Sequence, residues 1–149
     1  MKRLSLTILF LLQCSVWIFC HAEMISSTDF EKFEAGKSLS RDAFLKAGFQ
    51  IGSWDNALET RTTIDSTESS SGRQSMRIVY PEGGVGPEET GCQVQLKFDG
   101  RSEAYSSYYL KFSKRFSWGT TNYGGKLPGL AGGGCCSGGT NCDGTNGFT

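Results

Sequence analysis

"SMRIVYPEGGVGPEETGCQVQLKF" (75–98) decides how this chain is read. It opens with SMRIVY (75–80), where Met76, Ile78 and Tyr80 occupy alternate positions. It closes with QVQLKF (93–98), where Val94, Leu96 and Phe98 alternate with Gln93, Gln95 and Lys97. Successive side chains of a strand point to opposite faces, so each hexapeptide offers one apolar and one polar face. That is the pattern of half-buried antiparallel strands. The stretch between them, PEGGVGPEETG (81–91), is rich in glycine and proline and reads as a turn region.

The same alternation extends outward. ETRTTID (59–65) alternates polar residues with Thr and Ile, and YSSYYLKFSKRFSW (105–118) offers another strand or pair of strands. The separators STESSSGR (66–73) and DGRSEA (99–104) are turn-rich. Short strands at such spacing predict an all-β fold, an antiparallel β-sandwich of jelly-roll type. There is no βαβ alternation and no internal repeat. Only Glu23 to Gly48 has helical character, with capping residues at Ser27 to Asp29 and at Ser40, which predicts one or two short helices or an extended arm. The final NGFT (146–149) reads as the start of a strand. The visible strands are too few to close such a sandwich. Residues 23–149 are therefore expected to be the N-terminal portion of a jelly-roll domain truncated at its C-terminus.

The first 22 residues stand apart. Lys2 and Arg3 precede an almost wholly apolar run, Leu4 to Cys20, and Cys20-His21-Ala22 places small residues where a signal peptidase needs them. The run is short for a bilayer span, and Gln13 is too large for a lipobox. A signal peptide over 1–22 is expected. The remainder is then a secreted, extracellular monomer with no membrane association after cleavage. Without Lys2 and Arg3, 13 of the 15 basic residues remain against 15 acidic ones. A near-neutral chain lacks the basic excess of a general nucleic-acid binder.

Cys14 and Cys20 leave with the signal, and Cys92, Cys135, Cys136 and Cys142 remain. Four cysteines in a secreted chain read as disulfides. Adjacent cysteines rarely bond each other, so Cys135 and Cys136 are expected to pair with Cys92 and Cys142 in either order. Zinc is disfavoured: the adjacent cysteines lack a two-residue gap, and no histidine follows Ala22. No metal and no other cofactor is expected.

TNYGGKLPGLAGGGCCSGGT (121–140) carries the chemistry. Gly119 to Gly124 has the gap of a phosphate-binding loop, but Gly125 intervenes before Lys126, and Leu127 replaces the hydroxyl residue that holds magnesium. A flexible linker lacks cysteines and large apolar residues. What remains is an ordered loop, in which glycine gives a bulky polymer access to the backbone. Tyr108, Tyr109 and Tyr123 are candidates to line a sugar groove, although strand tyrosines are more often packing residues. Lys111, Lys114 and Arg115 either attract a polyanion or form a solvated strand face, the latter being the simpler reading.

GGKLPGLAGG (124–133), the Cys/Gly-rich stretch after it, GFT (147–149) and the upstream MRIVYPEGGVGP (76–87) resemble the core signature of the family 14 polysaccharide lyases. These are alginate and glucuronan lyases of molluscs, algal viruses and fungi. The resemblance covers about half the chain, from Ser75 onward. It implies a jelly roll with a groove across one sheet, an acidic polysaccharide substrate, and a catalytic lysine at Lys126. It also places Thr149 where the family has a substrate-binding serine, with an arginine and the paired acid and base tyrosines beyond the last residue. The implied reaction is β-elimination, in which a cation must stabilise the enolate-like charge that grows at the uronate carboxylate. Two other readings compete: a non-catalytic carbohydrate-binding module, and a glycoside hydrolase. The hydrolase needs two flanking carboxylates, and Glu82, Glu88, Glu89 and Asp99 show no such pairing.

Overall fold

A computed structural model describes residues 22–119, 127–133, 145 and 147–148. The expected signal peptide lies outside them except for Ala22. Among the described residues no helix is long and apolar enough to cross a membrane. The elements in chain order are α1 (Arg41–Lys46), β1 (Gln50–Asn56), α2 (Leu58–Arg61), β2 (Thr62–Asp65), β3 (Ser75–Ile78), α3 (Gly86–Glu89), β4 (Gln93–Lys97), β5 (Gly132–Gly133) and β6 (Gly147–Phe148). The strands form antiparallel pairs, β1 with β4, β2 with β3 and β5 with β6. Small antiparallel sheets with few, short helices are thus the observed form of the all-β expectation.

The N-terminal region behaves as its capping residues require. Ala43 N–H donates to Ser40 Oγ at 3.1 Å and starts α1. Asp42 in the first turn and Lys46 in the last complement the helix dipole. The helix ends at Ala47, and Gly48 takes φ +94 to turn the chain into β1. The Ser27 to Asp29 capping signal makes a turn instead of a helix. Phe30 N–H donates to Thr28 Oγ1 and Glu31 N–H to Asp29 Oδ1, at 2.9 and 3.1 Å.

Burial is concentrated in Phe33, Leu39, Phe44, Leu58 and Ile64, with Phe30, Ala43, Ala47, Phe49, Ile51, Met76, Cys92 and Val94 packed around them. Phe33, Phe44 and Phe49 run as edge-to-face pairs with centroids 5.4 and 5.5 Å apart, the arrangement that ring quadrupoles favour. Backbone bonds tie the N-terminal turn to β2: Gly36 N–H donates to Ile64 O and Ile64 N–H to Lys37 O, both at 2.8 Å. At the centre, Thr62 Oγ1 accepts from Leu39 N–H at 2.9 Å and donates to Leu58 O at 2.6 Å. Gln74 Nε2 donates to the Phe30 and Phe33 carbonyls, each at 3.3 Å, which brings the approach to β3 onto the same turn.

Three strand expectations are corrected. In ETRTTID (59–65), residues up to Arg61 form one helical turn. Ala57 takes the left-handed conformation at φ 55, Arg61 N–H bonds back to Ala57 O, and the strand starts only at Thr62. In QVQLKF (93–98), Val94 packs on the core, but Leu96 and Phe98 are exposed. A bulge interrupts the pairing beside them, since three residues of β1 between Ile51 and Asp55 face Gln95 alone. YSSYYLKFSKRFSW (105–118) has no ladder partner among the described residues. It runs as irregular chain with a turn closed by Phe116 N–H to Ser113 O at 3.0 Å. A strand pattern without a neighbouring strand cannot satisfy a ladder, however regular its alternation.

Gly52 shows why the bulge takes its form. Its Cβ would lie 1.9 Å from Gln95 Oε1, so glycine lets that side chain lie over the backbone in this conformer and accept from Ser53 N–H at 3.3 Å. Arg41 covers the other side, donating to Asp55 Oδ2 at 3.0 Å and to Gly52 O.

Two predictions follow from this core. Thr62→Val keeps shape but leaves the Leu39 N–H buried and unpaired, and is expected to lower stability by about 1–3 kcal/mol in urea unfolding. The second concerns Asp65. It accepts from Thr67 Oγ1 at 2.6 Å and from Thr67 N–H at 2.8 Å, with Arg77 at 3.5 Å. The hydroxyl bond first, then the amide and Arg77, holds its carboxyl below the ordinary 3.8 despite burial. A lowered folded-state value contributes stability that is complete above the unfolded value and lost as pH falls through the folded one. Asp65→Asn should therefore be less stable than the parent at neutral pH. The gap between their urea midpoints should close as the solution is acidified past that range.

Candidate functional site

Most residues singled out by sequence, Tyr123, Lys126, Cys135, Cys136, Cys142 and Thr149, lie outside the described residues. The expected disulfide partners of Cys92 are among them. The structure does show what flanks the lysine loop. Leu127, Pro128 and Gly129 are exposed and Leu130 is half-buried. β5, six residues beyond Lys126 in sequence, pairs with β6 in the register Gly132↔Phe148 and Gly133↔Gly147. Gly133 takes φ +65, a conformation suited to glycine. The short ladder pairs the last two residues of GGKLPGLAGG with the first two of GFT, two separate pieces of the sequence signature.

Upstream of the loop lies an aromatic cluster. Phe116 meets Tyr80 with centroids 5.6 Å apart at 83°, Phe112 at 4.8 Å, and Trp118 at 5.0 Å and 76°. Phe112 and Trp118 close the set at 4.9 Å and 61°. Trp118 is 55% exposed and stands eight residues before Lys126. Tyr108 is half-exposed, while Tyr109 is almost fully solvated, as is Tyr105, which donates to Glu103.

The PEGGVGPEETG region positions Tyr80. Its backbone closes on itself: Val85 N–H donates to Glu89 Oε2 at 2.9 Å, and Thr90 N–H and Oγ1 donate to Gly86 O at 3.0 and 2.7 Å. Arg61 reaches across from α2, donating to Gly91 O at 3.1 Å and to Glu88 O. Gly91 takes φ +61, and a Cβ there would lie 3.1 to 3.3 Å from the Tyr80 ring, so the ring rests on bare backbone. Cys92 is half-buried beside it. Burial pushes the Cys92 thiol up against the opposing pull of Arg61. Burial, and then Cys92, push up the Tyr80 hydroxyl. Tyr80 keeps its proton at neutral pH and serves here as packing.

Charge is segregated along the chain. From Ala104 to Cys142 it carries Lys111, Lys114, Arg115 and Lys126 and no carboxylate. Period-two reading preferred a solvated strand face for Lys111, Lys114 and Arg115 because it sorts residues by face and not by sign. It missed the ring cluster for a related reason: Phe112, Phe116 and Trp118 share a strand face only in a strand, and here the turn at Ser113–Phe116 brings them together. Two aromatic residues bracketing a Ser-Lys-Arg turn were the available signal.

Comparison with known proteins adds one match. The sequence model of the family described as Polysaccharide lyase 14 matches residues 68–149. None of the curated proteins and none of the solved structures compared with the chain matches it. The match begins just before β3, whereas all five buried core residues precede it. Each of the two larger sheets pairs one strand inside the matched span with one before it, β4 with β1 and β3 with β2. A chain starting at Glu68 would leave β3 and β4 without these partners. It is expected to show no cooperative urea transition by circular dichroism, whereas residues 23–149 show one.

Proposed function

We propose a reaction from one premise: the chain belongs to the polysaccharide lyase 14 family. Its substrate is a uronic acid polymer, alginate or glucuronan, cut outside the cell by β-elimination. The carrying observation is that the family match spans the lysine loop GGKLPGLAGG together with GFT. In the reaction a base takes the proton on the carbon next to the uronate carboxylate. The electron pair forms a carbon–carbon double bond, and the glycosidic oxygen leaves from the neighbouring carbon and takes up a proton. The products are an unsaturated uronate and a new chain end. The proton is barely acidic while the carboxylate is fully negative, so a cation at the carboxylate is the main requirement. Lys126 meets it as the catalytic lysine, Thr149 offers a hydroxyl to the substrate, and Tyr123 borders the groove.

Four features support this reading. The β5–β6 ladder joins the strand after Lys126 to the strand before Thr149. The acid-free run around Lys126 suits a polyanion by charge complementarity. The antiparallel pairs are of the kind a jelly-roll sandwich is built from. The signal-like start of the chain agrees with action on an extracellular polymer.

A form of the protein that also carries the arginine and paired tyrosines the resemblance implies, incubated with alginate and with glucuronan, is expected to generate the ultraviolet absorbance of an unsaturated uronate, and Lys126→Ala in that form is expected to abolish it; residues 1–149 alone are expected to give little or none. Retained elimination in that variant would remove the lysine from the mechanism. New reducing ends without absorbance would indicate hydrolysis, and retention on the polymer without cleavage would indicate a binding module.

A further inference from the structure

We propose that the turn Ser113–Phe116, together with Trp118, is a binding site for an acidic saccharide, with Lys114 and Arg115 meeting carboxylates and Trp118 stacking on a sugar ring. Lys114 and Arg115 hold the two central positions of a turn closed at 3.0 Å. Both are exposed, and neither has an ion-pair partner among the described residues. Lys111, by contrast, is engaged by Glu68 at 2.5 Å. The turn projects two adjacent cations that no neighbouring carboxylate of the acid-free run neutralises.

The rings supply the second half of the site. Phe112 and Phe116 pack against each other at the base of the turn, and both meet Trp118 at steep angles, 61° and 76°. These contacts hold the indole in place while leaving more than half of it exposed. A pre-ordered aromatic packed on Phe116, the residue that follows the two cations, suits a ring with an apolar C–H face and a negative edge. The indole covers the C–H face, and the Arg115 fork accommodates a carboxylate in bidentate fashion. A neutral sugar would leave the cations unused, and a purely apolar partner would leave them desolvated and unpaired. The class of ligand rests on the lyase reading; the presence of a site rests on the turn and the rings.

The test is binding without turnover, using the full chain with Lys126→Ala and affinity electrophoresis through gels containing alginate, with dextran as the neutral control. Retardation by alginate and not by dextran is expected. Lys114→Ala/Arg115→Ala should weaken it about fivefold or more and reduce its salt dependence. Trp118→Ala should weaken it to a similar degree with the salt dependence kept. Arg115→Lys, which keeps the charge, should restore part of the loss caused by Arg115→Ala. The turn residues are exposed, so the double variant tests the site even where Trp118→Ala disturbs packing. Unchanged retardation in the double variant would overturn the proposal, as would equal retardation by dextran or none by alginate. Sedimentation showing a dimer that Trp118→Ala dissociates would assign the surface to a second copy instead. Ultraviolet assay of the form that also carries the arginine and paired tyrosines, with Lys126 intact, decides the lyase reading separately.

Discussion

The Thr62 hydroxyl is the interaction on which the described structure turns. It accepts from Leu39 N–H and donates to Leu58 O. One oxygen thus fixes the N-terminal turn, the first residue of α2 and the start of β2 relative to each other. Those three segments carry Leu39, Leu58 and Ile64, three of the five buried apolar side chains. Burial of the hydroxyl makes both bonds obligatory, because a lone polar group at the centre of the core would cost as much as the contacts around it supply. From this point the order propagates: β2 selects β3, and Arg61, at the end of α2, reaches the turn on which Tyr80 rests.

How much of this was legible in the sequence depends on what each signal measures. The Ser40 cap was readable because a cap is a local event involving three residues. Strands β3 and β4 were readable because their alternation reflects a real two-sided environment. Residues 105–118 carry an equally good alternation and form no strand, because alternation states a preference for a sheet without supplying a partner. The helical turn at Leu58–Arg61 was hidden inside apparent alternation. It depends on Ala57 adopting a left-handed conformation, which no property of alanine announces.

The chemistry was legible in a different way. Lys126 was picked out by the uncommon peptide around it, and the family match over 68–149 agrees with that resemblance. What the peptide did not disclose is how much of the supporting structure lies upstream. The buried residues before position 68 show weak and irregular patterning, as expected of a core assembled from turns and short segments. The cations at 111–115 were legible as a strand face, while the ring cluster at 112–118 was silent, since a turn within an apparent strand is decided by tertiary packing.

Gly52 and Gln95 carry a consequence for how such sequences change over time. The glutamine side chain occupies the space in which any other residue at 52 would place its Cβ. The two positions are therefore coupled in one direction: position 95 can shorten while Gly52 stays, but a larger residue at 52 displaces the Gln95 side chain and with it the bond to Ser53 N–H. Substitution at 52 meets less resistance where position 95 has already shortened, so the order in which the two change affects how far the bulge is weakened on the way.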